Sequence, residues 1–307
     1  GVSGHTALYL QSAELTANGG TAKSFGRDVA LSRNTAVIGD PSLGTYPELD
    51  GIGSAYVYVR IGDAWVFQQK LTASDGNPGN NFGYSVDIDG DTIVIGAQGD
   101  DLNGAIDRGA AYIFTRSGSV WSQTNKLIND TDFVGDATTP QEWFGHSVAV
   151  SGSRVVVGAY NDLLALNDTG RKGSVMVFQL GIAVAKIKGD RVIGPSAMFG
   201  EDVDISGTTV VIGASNYPSD PNTILYRGAV FIYGSPLFVL QKTFGTPTDY
   251  SNLGSTVAIR GNKVVAGDPL NGKVFFSEFN STWSDFSLLA TSPSGTTSFG
   301  GEVASSD

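Results

Sequence analysis

One short phrase recurs along the chain and constrains its fold more than any other feature. It opens with an aromatic residue (a leucine in the fifth copy) and a glycine, continues with apolar residues two apart, passes through a tight turn and closes on a glycine. The opening and closing residues keep one separation in five copies: Phe25 and Gly39, Phe82 and Gly96, Phe144 and Gly158, Phe199 and Gly213, and Leu253 and Gly267. A sixth copy begins at Phe299. Constant spacing within copies and variable spacing between them indicate a repeat architecture.

Each copy of the phrase predicts two strands joined by a tight turn. In the second copy, Val86 and Ile88 are two apart, which is typical of a strand with one buried face. Gly90 marks the turn, and the run 93–95 is apolar throughout, as in a strand covered on both faces. The other copies repeat this order. Each phrase therefore supplies the first two strands of a structural unit.

Two further strands follow each phrase, such as those starting at Gly53 and Trp65 in the first unit. Four strands in a unit of about 55 residues, repeated in series, predict an all-β fold, a β-propeller of four-stranded antiparallel blades in a ring of six or seven. The 41 glycines suit many short strands joined by turns. The predicted single domain, 1–307, divides into the last strand of a blade at 1–24, five complete repeats at 25–81, 82–143, 144–198, 199–252 and 253–298, and the first strand of a further blade at 299–307.

The two partial blades at the ends leave two interpretations open. The sequence is a segment of a longer chain, which we favour, or another molecule supplies the missing strands. The connections after the second strand are long in four units, and those after the fourth strand are also longer than the other turns. In an antiparallel blade both leave from the same end, so we expect ligand binding on that face.

Composition excludes several classes of function. The net charge of −11 disfavours nucleic acid and anionic membrane surfaces as partners. The chain contains no cysteine, so thiolate catalysis and disulfides are absent. No apolar run approaches the ~18–20 residues that cross a bilayer, and no secretion signal is visible at Gly1.

The recurring phrase resembles the FG-GAP repeat of integrin α-subunit propellers and of many secreted proteins, and the resemblance covers nearly the whole chain. It implies the propeller fold. Propellers of this kind serve adhesion, carbohydrate binding and scaffolding alike, so the resemblance alone selects no function. Integrin-type repeats often carry a calcium loop inside the phrase, but here a tight turn leaves no room for it. We interpret the acidic residues of the run 87–91 as residues typical of a tight turn. The calcium site of integrin-type repeats is therefore not predicted at these positions.

Calcium is a possible cofactor at other positions, although no cofactor is certain. Two acidic loops follow the second and third copies of the phrase, and hard oxygen ligands on loop backbone can hold calcium. The alternative is an ordinary turn rich in aspartate and asparagine. The candidate ligands are Asp100, Asp101, Asn103 and Asp107 in one loop and Asn161, Asp162, Asn167 and Asp168 in the next.

Aromatic residues predict packing in one set and ligand contact in another. Trp65, Trp121 and Trp283 open the fourth strand of three units, and such equivalent positions usually pack blade against blade. The candidate ligand contacts, which stand beside long loops, are Trp143, Tyr46, Tyr160 and Tyr217.

Three sequons predict N-glycosylation in loops if the protein passes through a eukaryotic secretory pathway, at Asn129, Asn167 and Asn280. Catalytic motifs are absent, and His146 is expected to be a surface residue rather than a catalytic one. We expect a non-enzymatic binding or adhesion module, extracellular or at the cell surface, that presents loops to a protein or glycan. The alternatives are a structural subunit completed by strand exchange, with self-association into a larger assembly, and a lectin; a hydrolase ranks last.

Overall fold

The computed structural model describes residues 14–17, 24–42, 51–102, 105–129, 141–163, 172–189, 197–217, 227–245, 250–292, 299 and 301–303. Among these residues there is no α-helix, and therefore none with the length and apolarity needed to span a membrane. The described chain is built from strands and turns, as the repeated phrase predicts.

The described strands form five four-stranded antiparallel sheets in which each strand pairs with its neighbours in sequence. The first contains β1 (Val29–Ser32), β2 (Thr35–Asp40), β3 (Ser54–Ile61) and β4 (Ala64–Leu71). The second contains β5 (Phe82–Asp89), β6 (Thr92–Ala97), β7 (Ala110–Ser117) and β8 (Val120–Leu127). The third contains β9 (Ser147–Ser151), β10 (Arg154–Ala159), β11 (Ser174–Gln179) and β12 (Ile182–Lys188).

The fourth sheet contains β13 (Val203–Ser206), β14 (Thr209–Ala214), β15 (Ala229–Gly234) and β16 (Val239–Gly245). The fifth contains β17 (Thr256–Arg260), β18 (Lys263–Asp268), β19 (Lys273–Glu278) and β20 (Ser287–Thr291). In each sheet the pairing of the third and fourth strands shifts register once, as at a β-bulge, which increases strand twist. The predicted all-β fold of four-stranded antiparallel blades is confirmed.

The hydrophobic core lies between neighbouring blades, and the opening residue of the phrase is at its centre. Phe82 is fully buried in a cluster that combines Val57 of the first blade with Tyr112 of the second. Phe144, Phe199 and Leu253 occupy the corresponding clusters between the later blades. Each of these copies therefore places one large apolar side chain in the interface with the preceding blade.

The closing glycine of the phrase lets neighbouring blades approach closely. A Cβ on Gly213 would lie far inside the van der Waals radius of the Gly254 carbonyl oxygen in the next copy. Gly39, Gly96 and Gly158 meet the Gly83, Gly145 and Gly200 oxygens in the same way. Within one copy, the opening residue thus packs against the preceding blade, whereas the closing glycine contacts the backbone of the next copy.

The tryptophans of the fourth strands also join blades. Trp121 is buried, and its Nε1 donates to Gln68 Oε1 of the preceding blade at 2.9 Å. Trp283 Nε1 donates to Gln241 Oε1 of its own preceding blade at 3.0 Å. These contacts match the packing that the sequence predicts for this set.

Candidate functional site

A cavity of about 210 Å³ lies where the first strands of the blades converge. Strands β1, β5, β9, β13 and β17 are edge strands of their sheets and contact one another in chain order. Their N-terminal ends follow the connections from the preceding blades. The cavity is therefore on the face to which the long loops belong.

The lining residues come from one place in the phrase, the two positions after the opening aromatic–glycine pair. All six copies contribute to it, and the lining comprises Arg27, Asp28, Tyr84, Ser85, His146, Ser147, Glu201, Asp202, Ser255, Thr256, Gly301 and Glu302. The first of these two positions is occupied by Arg, Tyr, His, Glu, Ser and Gly in the six copies, so it differs in every one of them. The ring thus displays a different side chain from each copy around one opening.

An arc of aromatic rings forms one wall of the site and extends out of it. The ring centroids of Tyr84 and His146 are 5.0 Å apart, and those of His146 and Tyr160 are 4.5 Å apart. Trp143 continues the arc with its centroid 5.2 Å from Tyr160. At the other end, the Arg27 guanidinium lies 4.4 Å from the centre of the Tyr84 ring and donates to its hydroxyl at 2.7 Å. Such a surface can stack on the apolar face of a ligand.

His146 contributes to this arc as a neutral ring. Burial lowers its pKa to about 4, and the charge of Arg27 acts in the same direction. Its Nδ1 is 2.7 Å from Gln98 Oε1, so the proton on this nitrogen is donated to the amide oxygen. The sequence predicts a surface histidine without a catalytic role, and the structure places this half-buried side chain in the lining of the cavity.

Carboxylates dominate the rest of the lining. Burial raises the pKa of Asp28, Glu201 and Glu302, and it raises the pKa of Asp202 to about 7. Glu201 accepts a hydrogen bond from the Ser215 hydroxyl. The site therefore combines an aromatic wall, one guanidinium and several acidic groups that hold protons more tightly than usual.

Two of these carboxylates also hold the ring together. Asp28 Oδ2 accepts from Val86 N of the next blade at 2.7 Å, and Asp202 Oδ2 accepts from Val257 N at 2.7 Å. Asp87 makes the same contact with Val150 N at 2.6 Å. The interpretation of Asp87 as turn chemistry is wrong, since its carboxylate caps an amide on the inner edge of another blade.

The predicted aromatic ligand contacts divide into two groups. Trp143 and Tyr160 lie together in the arc described above. Tyr217 instead packs against Phe231, with ring centroids 5.6 Å apart, at the edge of the core between the third and fourth blades. Tyr46 lies outside the described residues.

The predicted calcium ligands that the structure describes already have other partners. Asp100 is 2.9 Å from Lys126 Nζ, and Asp162 is 3.1 Å from Lys186 Nζ. Asp101 Oδ1 accepts from Asp107 N at 3.0 Å. Among the described residues, no group of three or more His, Asp or Glu side chains is arranged to hold a metal ion. A calcium site in these loops would depend on positions outside the described residues, Asn103, Asn167 and Asp168.

The sequons differ in accessibility. Asn280 is exposed in a turn, so its glycosylation remains a prediction, and Asn167 lies outside the described residues. Asn129 is 4% exposed, and its Nδ2 donates to Glu142 and Asp162. A glycan on Asn129 is incompatible with this geometry, because Nδ2 is the atom to which the sugar would be attached.

Sequence reasoning missed Arg27, Tyr84 and Glu201 as site residues. A signal for them exists in the sequence, since they occupy the same position of the phrase, directly after the opening aromatic residue and glycine, and this position differs in every copy. These positions are far apart in sequence, and they meet at one opening only because the blades are arranged around a ring.

Comparison with known protein families agrees with this architecture. The model of the FG-GAP repeat matches residues 9–58, 65–114 and 121–178, more than half of the chain. The second and third matches run from the fourth strand of one blade to the third strand of the next. No curated protein matches the chain significantly. FG-GAP repeats occur in extracellular binding and adhesion proteins, and the chain belongs to the FG-GAP repeat family.

Proposed function

We propose that this protein is an extracellular or cell-surface binding module that holds a protein or glycan ligand at the mouth of its propeller. The observation that carries the proposal is the central cavity, to which every copy of the phrase contributes side chains. Contacts between blades make this opening rigid, so a ligand would meet a preformed surface. The binding face is the one with the long connections.

A lectin is the form of this function that the aromatic arc favours. Tyr84, His146, Tyr160 and Trp143 present a continuous line of rings from the cavity towards the surrounding loops. Sugar rings stack their C–H faces on aromatic side chains, and their hydroxyls hydrogen-bond to carboxylates such as Glu302. No step of this proposal requires catalysis.

Glycan-array screening followed by calorimetry with the best glycan tests the proposal. We expect Tyr84→Ala and Trp143→Ala to weaken binding by about tenfold each, because loss of an aromatic contact of about 1.4 kcal/mol corresponds to that factor. Tyr250→Ala is the matched control, since Tyr250 is 63% exposed and does not line the cavity. Binding should survive EDTA.

If the ligand is a protein, this chain should bind no glycan on the array, and its affinity for that protein should depend on Tyr84 and Trp143 in the same way. Two results would contradict the proposal. One is an affinity that neither variant changes, and the other is a ligand whose binding depends on Tyr250 instead. Either would move the binding surface away from the mouth of the ring.

A further inference from the structure

Four buried polar side chains meet between the second and third blades, away from the central cavity. Asn129 follows β8, Lys186 lies on β12, Asp162 follows β10, and Glu142 precedes the third copy of the phrase. Asn129 and Asp162 are buried, and the side chains of Lys186 and Glu142 are 9% and 15% exposed. The proposed binding function uses none of them.

The distances in this cluster bring an amine to an amide. Lys186 Nζ donates to Asn129 Oδ1 at 3.1 Å, so the amine is held against the carboxamide group. Asp162 Oδ2 contacts both reacting nitrogens, at 3.1 Å from Lys186 Nζ and 3.2 Å from Asn129 Nδ2. Glu142 Oε2 accepts from Nδ2 at 3.0 Å. These separations are within the range over which positioned groups transfer protons.

The corresponding lysine of the second blade shows a different arrangement. Lys126 Nζ contacts the carboxylates of Asp75 at 2.7 Å and Asp100 at 2.9 Å. No carboxamide contacts it among the described residues, and the Asp75 side chain is 49% exposed. The third blade thus combines a buried lysine, a buried amide and two flanking carboxyl groups.

We propose that Lys186 and Asn129 form an intramolecular isopeptide bond. The Lys186 ammonium transfers a proton to Asp162, and the neutral amine adds to the Asn129 carboxamide carbon, forming the new C–N bond. Asp162 returns the proton to Nδ2, the bond from the carbon to Nδ2 breaks, and ammonia leaves. Asp162, which contacts Nζ, takes the remaining extra proton from that nitrogen and passes it to the departing ammonia, so the products are a secondary amide and one ammonium ion.

The surrounding groups suit this reaction. Glu142 Oε2 holds the leaving nitrogen of Asn129 at 3.0 Å, and burial raises the pKa of this carboxyl group. Arg108 Nη2 is 3.2 Å from Glu142 Oε1 and remains as a cation in the cluster after the lysine charge is lost. Holding the amine against the amide replaces an encounter in solution with an intramolecular step.

The bond would join two neighbouring blades of a chain that contains no cysteine. It links the connection after the second blade to the outermost strand of the third, across 57 positions of sequence. A cross-link of this kind restricts the unfolded chain, as a disulfide does. It also uses the nitrogen to which a glycan on Asn129 would be attached.

Intact mass and peptide mapping of the folded 307-residue chain test the proposal. We expect a mass below the sequence mass by one ammonia, and a tryptic product in which residues 127–154 are joined to residues 173–188, without cleavage after Lys186. Lys186→Arg keeps the positive charge, and this variant should have the full sequence mass and a lower Tm. Glu142→Gln should slow formation of the bond.

Peptide mapping separates the isopeptide bond from other losses of ammonia. Cyclisation at Asn271–Gly272 would give the same mass change and leave the two peptides unjoined. A folded parent chain that keeps its full mass, with cleavage after Lys186, would overturn the proposal. So would joined peptides that persist in Asn129→Ala, since the amide carbon would then be absent.

Discussion

At the residue scale, the aspartates of the inner strands show how the ring satisfies its exposed strand edges. Asp204 Oδ1 accepts from Ile205 N of its own strand, and Oδ2 accepts from Ile259 N of the next blade at 2.6 Å. Ser151 and Ser206 provide the same cap nearer the turns, for Gly207 N and Gly261 N. An uncapped amide on such an edge would cost stability or recruit another strand. Short polar side chains on one blade therefore accept hydrogen bonds from amides along the inner edge of the next blade.

The closing glycines provide a prediction at this scale. Gly213→Ala should destabilise the fold by roughly 3 kcal/mol, because the added methyl group meets a backbone oxygen that cannot move independently of its blade. Gly245→Ala is the control, since the nearest atom to its Cβ would be 3.9 Å away. Urea unfolding of both variants measures the difference. Equal midpoints for the two would show that the interface yields to the extra methyl.

At the element scale, the strands follow from the local pattern, whereas their contacts with other blades do not. Val86 pairs with Ile95 and Ile88 with Ile93, as expected for a hairpin with alternating apolar residues. Nothing in this hairpin indicates that the Asp87 carboxylate binds the amide of Val150. That contact joins elements 63 positions apart, because the ring places corresponding strands side by side.

The outer strands support a second prediction. Trp121→Ala should cost about 3–5 kcal/mol, since the buried indole lies against the preceding blade. Trp121→Phe should lose only about 1 kcal/mol, because the ring volume is largely kept and the hydrogen bond to Gln68 is removed. Trp65→Ala is the control, as this side chain is half-buried. Calorimetric unfolding would contradict the prediction if Trp65→Ala were the more damaging change.

At the scale of the whole molecule, carboxyl groups from different blades share the interior of the ring. Burial raises the pKa of Asp87 to about 6, of Asp202 to about 7 and of Asp204 to about 8. The negative charge of Asp87 contributes to the shift at Asp204, across the ring. After burial, the negative charges of Asp87 and Asp202 thus add to the rise in the pKa of Asp204.

This coupling predicts that stability depends on pH. The folded chain binds these protons more tightly than the unfolded chain, whose aspartates have pKa values near 3.8. The stabilisation is therefore fully present below about pH 3.8, declines as the pH rises above that value, and is lost once the pH has passed the folded-state pKa values of about 6 to about 8. We expect Tm to fall over this range in scanning calorimetry.

Two variants test the origin of that dependence. Asp204→Asn removes one titrating group from the ring and should reduce the fall in Tm. Asp63→Asn changes a fully exposed carboxyl group in a turn and should leave the fall unchanged. A Tm that stays constant or rises between pH 6 and pH 8 would show that the inner carboxyl groups titrate as they do in the unfolded chain.

The sequence by itself determined the repeating unit, the four strands in each blade and the packing role of the fourth-strand tryptophans. These features depend on residues close together in sequence or on a spacing that recurs, so one chain without relatives is enough to predict them. Trp143 and Tyr160 were also predicted together as ligand contacts, because both stand beside long loops.

Only the tertiary structure decided which side chains share the central cavity, that Asp87 is an inter-blade cap, and that Asn129 is buried beside Lys186. Each of these facts depends on contacts between units about 55 residues apart in a propeller built from repeated blades. The curvature of the ring brings these residues together, and local sequence patterns do not predict that curvature. The fold was therefore predictable from the recurring phrase. Which side chains contact one another inside the ring was not, because those contacts form between different blades.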